Sequence, residues 1–142
     1  MKNVLSIMVL AVFVTFASCN TSKKAVKNAE NNSLDGAYVI ANVNGITMGE
    51  KGLVLTFDAE NNSFSGTTEC NGISGSYTID NKNISFGPII ATRMYCEGKM
   101  DAEKNISDAL SNATSYGIEN NLLVFTDREN NVLLSAVLRN KQ

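Results

Sequence analysis

Residues 74–88 read SGSYTIDNKNISFGP: an alternating run, the pair Asn81-Lys82, a second alternating run, then glycine and the chain's one proline, Pro88. Alternation sends successive side chains to opposite faces of an extended chain, so one face becomes apolar and the other polar. Asparagine between two such runs marks a turn, because its side chain bonds nearby backbone and tolerates positive φ. The stretch therefore reads as an antiparallel hairpin. Pro88 follows where a ladder donor can be spared.

The same grammar extends in both directions. GAYVIANVNG (36–45) reads as one strand, and GLVLTFDAENNSFSGTTE (52–69) as a hairpin around Asn61-Asn62. YGIENNLLVFTD (116–127) splits into two strands at Asn120-Asn121, and NVLLSAVLRN (131–140) is the last strand, set off by Asn130-Asn131. Only MDAEKNISDALSNATSY (100–116) changes period: Ile106, Ala109, Leu110 and Ala113 fall on one helical face. Asp101 is the expected N-cap, Glu103 suits the positive end of the helix dipole, and Gly117 is expected just past the end. About eight short strands, one helix and no βαβ alternation predict a mainly β fold. The expected architecture is a small antiparallel barrel with the helix packed on an opening or edge, closure removing the exposed edges of apolar strands such as LLVF.

The 142 residues suffice for one domain. With 12 basic and 14 acidic residues the net charge is −2, and no basic stripe offers a footprint for nucleic acid. Histidine is absent, which removes Ser-His-Asp and Cys-His catalysis, the HExxH zinc site and any histidine pH switch. No glycine-rich phosphate loop is present. Neither a catalytic residue, a metal site nor a cofactor is expected.

The chain begins MKNVLSIMVLAVFVTFASCN, with Lys2 ahead of an apolar run from Val4 to Phe16. A run of about 13 residues is short of the roughly 20 that span a bilayer and suits a signal peptide, here residues 1–18. Phe16-Ala17-Ser18-Cys19 resembles a bacterial lipobox, with Phe16 where an aliphatic residue is usual; Cys19 is the expected lipidation site. Cleavage after Ala17 or an uncleaved anchor are the competing readings. The polar residues 19–33 read as a lipidated terminus and tether, and 34–142 as the folded domain. The expected location is the cell envelope, lipid-anchored on the outer membrane and facing the periplasm.

ECNGISGSYTI, then ISFGPIIATRMYC, then the helix and SYGIENNLLVFTD, resembles the META domain of HslJ-like bacterial envelope proteins over essentially all of 34–139. Glu69 stands where that family usually has glycine, Gly72 where arginine is common, and Tyr95 in place of a small residue. The resemblance implies a small lipocalin-like β-barrel with one helix, linked to heat shock and antibiotic resistance. The motif positions it marks, as structural or partner contacts, are Asn71, Gly75, Tyr77, Thr92, Arg93 and Met94.

Cys70 and Cys96 could be a redox or nucleophilic pair, a fragment of a zinc site, or a disulfide. A reactive thiol would have only Arg93 and the helix start to lower its pKa, and zinc would lack two further ligands. With Cys19 assigned to lipid, the remaining even pair in an oxidising envelope is expected to be a disulfide. Asn71-Gly72 suits a positive-φ turn, and Gly75 a bulge or close backbone approach. Arg93 is expected in a partly buried loop, bonded to backbone carbonyls or to Glu69 or Glu97, with an anion or partner contact as the alternative. The carboxylate pairs Asp58 with Glu60 and Glu97 with Asp101 read as solvated caps rather than glycosidase pairs.

These readings describe a non-catalytic, membrane-tethered, monomeric module of the envelope that binds or scaffolds an unidentified envelope protein or small ligand during stress. Two alternatives belong to other classes: an envelope protease inhibitor acting through the tether, and a carrier of a lipid or apolar ligand. A carrier needs an open cavity, so an interior filled by Phe57, Phe64, Phe86, Leu123 and Phe125 would argue against it.

Overall fold

The computed structural model describes residues 33–139; the expected signal peptide, Cys19 and most of the tether lie outside the described residues. The elements in chain order are β1 (Gly36–Val43), β2 (Ile46–Thr47), a 3-10 turn (Gly49–Lys51), β3 (Val54–Asp58), β4 (Ser63–Thr68) and β5 (Asn71–Asp80). There follow β6 (Asn83–Phe86), β7 (Ile90–Ala91), α1 (Met100–Asn112), β8 (Ser115–Glu119), β9 (Leu122–Thr126) and β10 (Val132–Leu138). Neighbouring strands run β10-β9-β8-β6-β5-β4-β3-β1, and β1 pairs back to β10 to close an antiparallel barrel of eight strands. The two-residue strands β2 and β7 are additions that the alternation did not announce; each pairs with one longer strand, β1 or β5.

Asparagine makes most of the corners. Asn44, Asn62, Asn81, Asn120, Asn121 and Asn130 all take positive φ between 49° and 66°. Their short polar side chains make that conformation cheaper than it is for most residues. Asp58 and Asp127 hold two of the connections: Asp58 accepts from the backbone N–H groups of Glu60 and Asn61, and Asp127 from those of Glu129 and Asn131. Side-chain bonds from Asn61 and Asn131 complete the two loops and, first among their causes, hold both carboxyls below the usual aspartate range.

The barrel interior is filled. Phe57 touches four other rings, with centroids 6.0 Å from Tyr38, 6.2 Å from Phe64, 5.7 Å from Tyr77 and 6.0 Å from Phe125. Phe86 joins them 5.3 Å from Phe64 and 5.4 Å from Phe125, edge to face. Leu55, Leu123, Leu134 and Ile40 complete the same buried cluster. Helix α1 adds Ile106, Ala109 and Leu110 to that core and touches β1, β4, β6 and β10. Contact with strands spread around the wall places it across one opening, as expected.

Its ends differ from expectation. The N-cap position is Lys99, with no capping side chain, and Asp101 lies inside the first turn, where an acidic residue still complements the helix dipole. Gly117 is not a helix stop but a residue of β8; the helix ends at Asn112 and Ala113 is already extended.

Candidate functional site

At the helix end, β4 passes to β5 through the two-residue connection Glu69-Cys70, since Thr68 pairs with Asn71. Glu69 carries the positive φ, at 35°, and Asn71-Gly72 lies inside the strand rather than forming the expected turn. The shift by two residues has a consequence: Asn71 can aim inward, where it is 2% exposed.

There its amide is fully used. Its Oδ1 accepts from the Thr92 hydroxyl at 2.7 Å and from the Met94 N–H at 2.9 Å. Its Nδ2 donates to the Glu103 carboxylate at 2.6 Å and to the Met94 carbonyl at 3.1 Å. Four bonds saturate the side chain and tie β5, the segment 92–94 and α1 into one knot. Thr68, also buried, accepts from the Asn71 N–H at 3.2 Å and lies 3.3 Å from Glu103 Oε2. Thr92 adds a reciprocal pair with Gly72, its hydroxyl accepting at 3.1 Å and its N–H donating at 3.0 Å. The Cys70–Cys96 disulfide, with Cα atoms 5.9 Å apart, fixes the far side of the same loop. Both thiols are consumed by that bond, so neither serves as a nucleophile in this form.

Sequence reasoning missed Glu103 and Thr68 as members of the knot, because nothing local announces a bond to Asn71 from across the fold. Arg93 departs from expectation in the other direction. It is exposed, and among the described residues no carboxylate or carbonyl bonds to it. Glu69 is paired instead with Lys51, at 2.8 Å. Asn71 does the pinning that had been expected of the guanidinium.

Outside the knot, the same loop is bare. Ile90 is 69% exposed, Met94 56% and Tyr95 82%. An open cleft of about 650 Å³ runs between this loop and the start of α1, bordered by Ile89, Arg93, Met100 and Glu103. The loop is anchored at Thr92, Met94 and Cys96 while its large apolar side chains face water.

The remaining motif residues lie elsewhere on β5. A Cβ at Gly75 would come 2.8 Å from the Phe64 ring and 3.0 Å from the Pro88 carbonyl, so the close approach expected there is real. Pro88 sits in a bulge: between the pairs Tyr77–Phe86 and Ser74–Ile90, β5 has two residues and the opposing chain three. Tyr77 belongs to the far end of the barrel. Its hydroxyl donates to the Leu34 carbonyl at 3.0 Å, with the Asp58 carbonyl at 3.3 Å, and so fixes where the chain enters the fold. Burial pushes the phenols of Tyr77, Tyr38 and Tyr116 up from their ordinary range, and Asp35 adds to the shift at Tyr77 and Tyr38.

A filled, disulfide-stapled antiparallel barrel with a helix across one end and a polar knot beneath an exposed loop is a small β-barrel domain. The chain belongs to the META domain family, whose model matches residues 30–139. No curated protein sequence matches it. In fold it is similar to a protein from Burkholderia xenovorans solved by NMR, at TM-score 0.60 and 20% identity, covering 75% of this chain and 85% of that one. It is also similar to the crystal structure of a duf4847 family protein from Bacteroides vulgatus, at TM-score 0.58 and 16% identity, covering 80% of this chain and 99% of that one.

Proposed function

We propose that this chain is a non-catalytic binding or scaffold module of the bacterial cell envelope, tethered by lipid on Cys19 to the outer membrane and active in the stress response. The observation that carries the reading is the contrast within residues 89–96. Asn71 and the disulfide order the loop, while Ile90, Arg93, Met94 and Tyr95 remain exposed beside a cleft. Ordering such a loop in advance removes the entropy that binding would otherwise cost, and exposed aromatic and arginine side chains are frequent anchors of protein contacts. The packed interior supports a surface role over carriage of an apolar ligand inside the barrel. The chain also enters the barrel at the end opposite the loop: Leu34 and Asp35 bond near the β3–β4 hairpin, and Asn71 lies at the other end of β4. A tether leading from Leu34 would leave the loop facing away from the membrane.

The test is site-specific photocrosslinking in the native host, with the crosslinker at Tyr95 and, as control, at Ser65 on the exposed face of β4. A discrete adduct from position 95, absent from position 65 and lost in Arg93→Ala, is expected. Equal labelling from both positions would overturn the reading, and failure of a fatty-acid label to enter the wild-type chain but not Cys19→Ser would remove the lipid anchor from it.

A further inference from the structure

Backbone pairing stops short at one place in the barrel wall. β6 and β8 meet through a single register pair, Asn83 with Ser115. Two bonds flank it, from Ile84 N–H to the Thr114 carbonyl and from Tyr116 N–H to the Lys82 carbonyl, each 3.0 Å. Beyond them β6 turns away at Asn81-Lys82, while β8 continues to Glu119. Alternate residues of a strand aim their N–H and C=O to the same side. Ile118 therefore aims both groups the way Tyr116 does, away from β9, and no strand of the described residues pairs there. A groove of about 590 Å³ follows this edge, bordered by Lys82, Gly117, Ile118, Glu119, Leu122 and Val124. Leu122 is 40% exposed, and a Cβ built on Gly117 would meet nothing within 4 Å, so the floor beside Val124 is open.

We propose that this edge binds the extended carboxy-terminal segment of a partner protein, antiparallel to β8. An unpaired N–H and C=O beside an apolar groove is the chemistry that recognises an extended backbone, with alternate side chains read by the groove. Direction and terminus follow from the ends of the groove. A strand antiparallel to β8 runs from Glu119 toward Lys82, and the Asn81-Lys82 turn occupies the space into which it would continue. A chain that ends there needs no detour, and its terminal carboxylate meets Lys82, which has no ion-pair partner among the described residues. A parallel strand would instead bring its amino terminus to that lysine. Glu119, at the opposite end, favours a basic residue a few positions upstream. A second copy of this chain fits less well. Two β8 edges pairing about a twofold at Ile118 would bring Asn120 of one copy to the place that Lys82 of the other already fills.

The probe is a phage library of random decapeptides displayed with free carboxy termini, panned against the full chain in mild detergent. Enriched peptides are then synthesised with a free or amidated terminus and titrated by fluorescence anisotropy. Expected are enriched sequences with alternating apolar residues, and about tenfold weaker binding on amidation and in Lys82→Gln. Ile118→Pro, which deletes an N–H that β9 does not use and also restricts φ and removes a core-packed side chain, should also weaken binding about tenfold or more, while Ile118→Val, the side-chain control, leaves it unchanged. The proposal is overturned if nothing is enriched, if amidation has no effect, or if Ile118→Val lowers affinity as far as Ile118→Pro. It is equally overturned if the wild-type chain self-associates and Ile118→Pro abolishes that association, which would assign the edge to a second copy. Amidation alters only the peptide, so the test stays decisive even where Ile118→Pro fails to fold.

Discussion

Asn71 and Tyr77 stand on the same strand, are equally buried, and do opposite work. Tyr77 lies among rings, 5.7 Å from Phe57 and 6.3 Å from Phe86, and adds one hydroxyl bond to the chain's entry point at Leu34. Asn71 makes four bonds, all to a loop and a helix turn that no aromatic packing would otherwise hold. The far end of the barrel is thus closed by area, which can be lost gradually. At the helix end Ile106, Ala109 and Leu110 bury area too, but the loop and the first helix turn are fixed by matched donors and acceptors, which fail together when one member goes.

The largest expected effect breaks that polar end. Asn71→Ala strands the Thr92 hydroxyl, both Met94 backbone groups and the Glu103 carboxylate, and should cost about 3–4 kcal/mol in urea unfolding. Asn71→Asp keeps the acceptors but places a carboxylate against Glu103. Its loss should shrink as the pH falls and one of the two acids takes a proton. A pH-independent loss in Asn71→Asp would mean that the knot does not act through this amide.

Second in size is the disulfide. Opening the loop between Cys70 and Cys96 should cost up to about 3.5 kcal/mol by the loop-entropy relation. Because Asn71 pins the same segment independently, the reduced domain should still fold, with extra hydrogen exchange confined to residues 89–100. Global unfolding on reduction would make the staple, not the knot, the organiser of this end.

At the aromatic end the losses should be smaller. Tyr77→Phe removes one bond and keeps the ring, for about 1 kcal/mol, with the exchange of amides near Leu34 rising first. Alkaline titration probes the same region. The unfolded chain releases its phenolic protons near pH 10, whereas burial holds the folded Tyr77, Tyr38 and Tyr116 above that value. The unfolded state therefore binds fewer protons in this window. Stability is complete below about pH 10 and drains away as the pH rises toward the folded values. In Tyr77→Phe that alkaline slope should flatten.

This contrast also marks how much the amino-acid order could disclose. The eight longer strands and the asparagine turns between them were legible, because alternation and asparagine act locally; whether the interior was filled or open was not. The motif was legible as a resemblance, and the helix face as a period. The knot was not. Glu103 appeared as a dipole-compensating acid and Arg93 as the pin, since a sequence shows charge and spacing but not which side chain reaches across to which backbone. Moving the turn from Asn71-Gly72 to Glu69-Cys70 takes Asn71 out of the turn and into the strand, where it faces inward, and nothing in the residues around it sets the choice. The short strand β7 and the free edge of β8 are likewise products of register, fixed by where β6 stops.

The smallest expected effect on stability carries the most about function. Arg93→Ala and Tyr95→Ser remove exposed side chains that, among the described residues, pair with nothing, so each should change unfolding free energy by no more than about 0.5 kcal/mol. Asn71→Ala, by contrast, leaves Arg93 and Tyr95 in place but frees the loop that presents them. If the loop is a contact surface, all three variants, read with the crosslinker placed at the exposed Ile90 so that position 95 is free to vary, should lose the crosslinked partner, the first two with unchanged urea midpoints and the third with a lowered one. If Arg93→Ala and Tyr95→Ser keep the partner while Asn71→Ala loses it, the exposed loop is not what the partner touches, and the knot serves only to hold the helix on the barrel.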